Sequence, residues 1–293
     1  MPRAGIVTVV GRPNAGKSTL LNRIIGQKLS ITSTKPQSTR DRIVGIHTDR
    51  DVQMVIVDTP GLLNPRYALQ HAMRSAALQA LDDADVIVYL HDVTEGPAPS
   101  LEAAADLDRP PKAPVLLALN KIDTLPPARR GELGHDSAAI FPVSAATGEG
   151  VDALLAAAAT QLPESPFLYG EDDVSTQSVR FFVSELIRET ALEQLDEEVP
   201  YSVACEIEEF RESRTPVYIR AVIYVERESQ KRILIGNKGT RVREIGRAAR
   251  AKVEALVGAP VYLDLWVKVL ANWRREPHLM QRFGYRVHGG RQQ

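Results

Sequence analysis

The chain has 293 residues, enough for two domains, and its 36 Lys and Arg against 37 Asp and Glu leave a net charge of −1. Near-neutrality excludes a general electrostatic attraction to nucleic acid or membrane, so any such attraction has to be local. A single cysteine, Cys205, excludes an internal disulfide framework, no apolar run nears the ~20 residues that span a bilayer, and Met1-Pro2-Arg3-Ala4 runs straight into a strand, so a cytoplasmic chain is expected.

The apolar run Ile6–Val10 predicts a buried strand. Gly11-Arg12-Pro13-Asn14-Ala15-Gly16-Lys17-Ser18-Thr19 follows, with a helix expected over Lys17–Ile25. Glycines at this spacing let the backbone turn tightly and bring N–H groups onto phosphates, while Lys17 supplies charge and Ser18 a hydroxyl for Mg²⁺. Ser30–Arg42 is polar and aperiodic, as expected of a loop that orders on binding. Strands are predicted over Ile43–His47 and Met54–Val57, and the second closes on Asp58-Thr59-Pro60-Gly61. A carboxylate thus stands at the C-terminal end of a strand, where ligands sit in open α/β sheets. There Asp58 would reach Mg²⁺ through water and the Gly61 N–H would sense a γ-phosphate.

A helix over Tyr67–Leu81, a strand over Val86–Asp92, a helix over Leu101–Leu107 and a strand over Val115–Leu119 lead to Asn120-Lys121-Ile122-Asp123. A carboxylate here accepts both N–H donors on the edge of guanine, whereas adenine leaves it facing an acceptor and a missing donor. GTP is thereby favoured, and nucleotide competition separates this reading from a P-loop ATPase or kinase. Asp123–Phe141, with Pro126, Pro127 and two glycines, predicts the least regular helix. A strand over Ile140–Val143 ends on Ser144-Ala145, whose N–H groups can steady a base, and a helix over Val151–Gln161 follows. The alternation predicts a doubly wound, mostly parallel sheet over residues 1–163.

Pro163-Glu164-Ser165-Pro166 and the acidic Glu171–Ser178 break periodicity, which predicts a linker over 164–178 and a second domain over 179–293. Val179, Phe182, Val183, Leu186 and Ile187 share a helical face. Strands are expected over Tyr201–Phe210 and Pro216–Glu226, then the loop Ile235-Gly236-Asn237-Lys238-Gly239. A helix carrying Val242, Ile245, Ala249, Val253 and Leu256 and a strand over Val261–Leu270 close the domain. From Arg227 to Lys252 nine basic residues stand against Glu228 and Glu244, a local excess of +7. Two glycines let such a loop press on a sugar-phosphate backbone. A protein-gripping second domain stays open, and a salt titration separates it from RNA binding. Arg274 and Arg275 either extend the phosphate track or lie on a solvated helix.

The element order around Gly236-Asn237-Lys238-Gly239 resembles a type II KH domain. The four nucleotide motifs ahead of it resemble the Era family of translation-factor-type GTPases, and the likeness covers essentially the whole chain. It implies an α/β P-loop GTPase domain followed by a smaller α+β KH domain. It implies that Thr39, in Pro36-Gln37-Ser38-Thr39-Arg40, joins Ser18 and Asp58 around Mg²⁺ only when γ-phosphate is present. Many GTPases orient the attacking water with a glutamine after Gly61, but here Leu62 and Leu63 follow. Slow intrinsic hydrolysis is expected, carried by Lys17, Thr39, Gly61 and Asn14. Asn14 matches the asparagine that helps hold K⁺ in potassium-dependent relatives. RNA contacts are expected from the loop residues Ile235 to Gly239 and from Arg241, Arg243 and Arg247. The resemblance further implies GTP and GDP as ligands, the 3′ end of 16S ribosomal RNA and the small ribosomal subunit as partners, and a checkpoint role in its assembly. It also implies loose peripheral contact with the inner face of the membrane. A monomer is the default.

Overall fold

The computed structural model describes residues 1–130, 133 and 139–285. Residues 131, 132 and 134–138 of the segment expected to be least regular, and residues 286–293 of the expected second domain, lie outside the described residues. The chain forms two compact units, one from Met1–Arg66 and Gln70–Thr176, the other from Tyr67–Leu69 and the chain from Gln177 onward.

In the first unit, strands β1 (Arg3–Val10), β2 (Ile43–Asp49), β3 (Val52–Asp58), β4 (Val86–Asp92), β5 (Val115–Asn120) and β6 (Ile140–Pro142) alternate with helices. The helices are α1 (Lys17–Ile25), α2 (Ala68–Asp82), α3 (Leu101–Ala105), the single turn α4 (Pro127–Arg130) and α5 (Val151–Gln161). The sheet order is β2-β3-β1-β4-β5-β6. Every pairing is parallel except β2 with β3. β4 is buried along its whole length, as a strand covered on both faces must be. The prediction of α3 runs two residues too far because Asp106 adopts a left-handed φ of 53° and stops the helix. The parallel strands β1, β3, β4, β5 and β6 all end on one side, and every nucleotide motif follows one of those ends.

Residues 164–176, expected as a linker, are instead laid against the first unit. Glu164 bridges to Arg3, and the Ile46 N–H donates to the Val174 carbonyl at 2.8 Å. The buried amide of Gln53 accepts from the Leu168 and Tyr169 N–H groups at 2.8 and 2.9 Å.

The second unit contains α6 (Val179–Gln194), α7 (Val199–Ser202), β7 (Ala204–Arg211), β8 (Val217–Val225), α8 (Glu228–Ile235), α9 (Thr240–Val257), β9 (Val261–Val269) and α10 (Pro277–Arg282). Its sheet order is β7-β8-β9, with β7 antiparallel and β9 parallel to β8. Val183, Ile187, Ile219, Ala221, Ile223, Ile245, Ala249 and Val253 form the core. Two expectations are corrected. Residues 201–202, expected at the start of a strand, belong to α7, a helical turn that Pro200 begins well because its missing N–H is not needed there. A helix α8, absent from the expected order, precedes the glycine loop.

Candidate functional site

The phosphate loop encircles a cleft of about 510 Å³ lined by Pro13, Asn14, Gly16, Lys17, Ser18, Thr19, Thr39, Gly61 and Lys121, among others. Two glycines are required by space. A Cβ on Gly16 would stand 2.2 Å from Asn120 Nδ2 at a backbone φ of 101°, and one on Gly61 would stand 2.7 Å from the Pro13 nitrogen. Gly11 and Ala15 are buried, whereas Arg12 is exposed and pairs with Glu95 at 3.5 Å.

Lys17 is buried, and its Nζ donates to the Gly11 and Arg12 carbonyls at 3.1 and 2.9 Å. Burial pushes its ammonium down to about 8, against the pull of Asp58. Asp58 is fully buried, and burial raises its carboxyl pKa against Lys17 and the hydroxyls around it. Those hydroxyls belong to Ser18 at 2.7 Å, Ser30 at 2.7 Å and Thr39 at 3.5 Å, all on Oδ2. Ser18 and Thr39 are themselves 2.9 Å apart. Asp58 Oδ1 is buried with no hydrogen-bond partner among the described residues. Two converging hydroxyls and a carboxylate with an unused oxygen are the hard-oxygen set that a magnesium ion takes, so the residues expected to hold Mg²⁺ stand together. Ser30 was not anticipated, and no pattern in its neighbourhood marks it.

On the base side, Asn120 ties three loops together. Its Nδ2 donates to the Ala15 carbonyl at 2.7 Å and its Oδ1 accepts from the Ala145 N–H at 2.9 Å. Ser144 is buried and its Oγ accepts from the Thr147 N–H at 3.1 Å, shaping the turn that presents Ala145. Asp123 is exposed, and its carboxylate has no side-chain hydrogen bond among the described residues, so it is available to a base edge. Lys121 pairs with the buried Asp92 at 2.5 Å. Burial pushes Asp92 up, but hydrogen bonds from Lys121 and Thr94 outweigh it and hold the carboxyl below the usual carboxylate range. Asp92 went unnoticed in the sequence, although, like Asp58, it is a carboxylate closing an apolar strand.

Leu62 is buried and its N–H donates to the Gly11 carbonyl at 3.0 Å. The position that holds a water-orienting amide in many GTPases is therefore apolar and packed inward. Asn14 is exposed and donates through Nδ2 to the Thr34 carbonyl at 3.0 Å.

In the second unit, Gly236, Lys238 and Gly239 take φ of 72°, 47° and 77° between α8 and α9. Asn237 and Lys238 project into solvent, and Ile235, Val242, Leu263 and Leu265 are half-buried nearby on the flanking helices and β9. Arg241 is partly exposed and Arg247 fully so. Arg243 differs from the expectation of a free phosphate contact. Its guanidinium donates to the Lys238 carbonyl at 2.7 Å and the Gly239 carbonyl at 3.0 Å, so it braces the loop. Lys252 binds Glu189 and Glu193, and the partly buried Arg274 pairs with Glu226 through Nε at 3.0 Å. Both cations are thus paired with carboxylates.

This arrangement defines a P-loop GTPase joined to a KH domain. Residues 6–121 match the model of the 50S ribosome-binding GTPase family and residues 198–274 that of the KH domain. The chain is 42% identical to GTPase Era of Halothermothrix orenii over 97% of its own length and 99% of the relative's. It is 44% identical to GTPase Era of Marinobacter nauticus over 96% and 95%. A variant of Aquifex aeolicus Era bound to GDP·AlF4⁻ superposes with a TM-score of 0.90 at 38% identity, covering 97% of this chain and all of that one. Era in complex with MgGDPNP and nucleotides 1506–1542 of 16S ribosomal RNA does so equally, over 98% of this chain. The chain belongs to the GTPase Era family and hydrolyses GTP.

Proposed function

We propose that this GTPase binds the 3′ end of small-subunit ribosomal RNA through its KH domain and serves as a nucleotide-controlled checkpoint in assembly of the small ribosomal subunit. The observation that carries the reading is the loop Gly236–Gly239. Its three left-handed residues open the backbone, Lys238 projects from it, and half-buried aliphatic side chains lie beside it as a floor for bases. The related Era complex with nucleotides 1506–1542 supports the choice of RNA. A segment of that length far exceeds the four or so nucleotides that a Gly-x-x-Gly loop clamps.

In the first unit, Lys17, Ser18, Thr39 and Asp58 would hold MgGTP. The ion, when bound, neutralises charge on the β- and γ-phosphate oxygens. Lys17 adds a fixed positive charge in a dry site, where it acts most strongly on charge that develops during transfer. Leu62 orients no water, so intrinsic turnover is slow. Asn14, whose Nδ2 is tied to the Thr34 carbonyl, would offer its amide oxygen to K⁺ beside the phosphate loop; equal turnover in K⁺ and Na⁺ buffers would remove that ion from the mechanism.

The test of the RNA reading is the double substitution Gly236→Asp, Lys238→Asp, measured by RNA binding across a salt series. Wild-type affinity should fall steeply with salt, and the double variant should lose RNA while hydrolysing GTP at a nearly unchanged rate. Retained RNA binding would place the groove elsewhere. Wild-type binding insensitive to salt would favour a protein partner.

A further inference from the structure

In the second unit α6 and α9 pack on one face of the sheet, while on the other face α10 and Phe283 cover only the part around Tyr224 of β8. Val261, Leu263, Leu265, Val267 and Val269 of β9 turn toward the core on the α6 and α9 side. Strand alternation therefore sends Tyr262, Asp264, Trp266 and Lys268 to the opposite face. Tyr262 is 59% and Trp266 54% exposed, although rings of this size usually dominate the buried area of a core or an interface.

These rings are held in place. Asp264 accepts from the Tyr218 hydroxyl at 2.8 Å, from Arg220 Nε at 3.1 Å and from Trp266 Nε1 at 2.8 Å. Tyr218 stacks on Tyr262 with centroids 5.9 Å apart and planes within 12°. One carboxylate thus orients an aromatic array before any ligand arrives, which lowers the entropy lost on binding.

Charge narrows what the array can hold. Arg220 is paired with Asp264, Arg211 with Glu209 and Lys268 with Glu208. With each cation already neutralised, a phosphate backbone gains little Coulombic energy here, and the flat ring faces remain as the attraction. Position supplies the rest. β9 is an edge strand, and its Leu263 and Leu265 lie on the helix-covered side that also carries the glycine loop. The RNA groove and the aromatic array are therefore two sides of one open strand.

We propose that Tyr262 and Trp266 form a second RNA subsite, on which bases of a single strand stack after it leaves the Gly236–Gly239 groove and passes around the edge of β9. This rests on the RNA reading above and gives a place to nucleotides beyond those the loop clamps. Base stacking on aromatic rings tolerates any sequence and adds affinity per base. Because no net charge is involved, its contribution should not fade with salt as the groove's does.

The test uses the full chain and two RNAs, a single strand of about four nucleotides, the length the loop clamps, and the segment spanning nucleotides 1506–1542. The long RNA should quench tryptophan fluorescence in the wild type, and the quench should vanish in Trp266→Phe. Tyr262→Ala with Trp266→Ala should weaken the long RNA by about tenfold to hundredfold, leave the short RNA within about twofold, and keep that ratio from about 50 to about 300 mM salt. Tyr262→Phe with Trp266→Phe should restore affinity. If both RNAs bind the wild type and the alanine pair changes neither, the subsite is overturned and the groove stands. If neither RNA binds, both readings fall. Loss of a crosslinked protein neighbour with unchanged RNA affinity would assign the face to protein instead.

Discussion

Lys17 acts from inside the fold, and its burial has a consequence for pH. Phosphate binding requires the ammonium, yet burial holds this group at about 8. Below that value the site is charged before nucleotide arrives. Above it, binding must take up a proton, so affinity falls as pH rises, by up to about tenfold per unit. GDP titrations from about pH 7 to about 9.5 should show this break, and a flat profile would mean that Lys17 is protonated throughout. Asp92 offers a second prediction. It anchors Lys121 from below the base-binding loop, with its other oxygen accepting from the Thr94 N–H and hydroxyl at 2.9 and 2.7 Å. A hydrogen bond to a charged group contributes about 1.5–3 kcal/mol. Asp92→Asn should accordingly speed GDP release by roughly tenfold to a hundredfold, and Asp92→Glu should restore it. The preference for GTP over XTP should not move if, as proposed, Asp123 and not Asp92 meets the base edge. Stopped-flow release of a fluorescent GDP reads the rate, and a changed base preference would show that Asp92 does more than position Lys121. Asp58 was legible because Pro60 and Gly61 follow it in a known spacing; Asp92 has the same setting without the motif. Ser30 was illegible, since a serine between Leu29 and Ile31 acquires meaning only when its loop folds over Asp58.

Elements with a strong period were the easiest to read. β4 opens with the apolar run Val86–Leu90, and α9 repeats Val242, Ile245, Ala249 and Val253 at helical spacing. α8 was missed because it is eight residues long, too short for a period to emerge, and its start depends on a side chain. Gln230 Oε1 accepts from the Glu226 and Arg227 N–H groups at 3.0 and 3.1 Å, capping donors that the helix leaves unpaired. The segment 164–176 was misread for a different reason. Its prolines and acids look like a tether, but Gln53, fully buried on β3, captures its backbone. Besides the two N–H groups it accepts, Gln53 donates to the Tyr169 carbonyl at 3.0 Å and to Thr48 at 3.1 Å. Gln53→Ala should cost about 1–3 kcal/mol, the penalty of buried groups left unpaired, and should open the segment to proteases. Urea unfolding and limited proteolysis of the full chain check this, and wild-type resistance in the variant would show that the segment is held by other contacts.

At the scale of the whole molecule, near-zero net charge conceals an uneven distribution. The stretch around the glycine loop is basic, but Lys252 and Arg250 pair with carboxylates and Arg243 with the loop itself, so fewer of its cations are unpaired than the sequence count suggests. If GTP orders Thr39 and the segment after Gly61, and this alters how the KH domain grips RNA, the two ligands are linked by one free energy. RNA affinity with a non-hydrolysable GTP analogue should then differ from that with GDP, and RNA should change the GTP-analogue to GDP affinity ratio by the same factor. Identical RNA affinity in both nucleotide states would dissolve the linkage. The linear chain by itself determined the nucleotide chemistry, because phosphate and guanine recognition rest on local loops whose residues are contiguous. It determined the class of both domains as well, because hydrophobic periods record which faces are covered. Tertiary structure alone decided which polar groups are already used. Whether Arg243 faces a phosphate or a carbonyl, whether Asp92 holds Lys121, and whether Tyr262 and Trp266 stand oriented in solvent depend on partners distant along the chain, and burial sets how strongly each pair interacts.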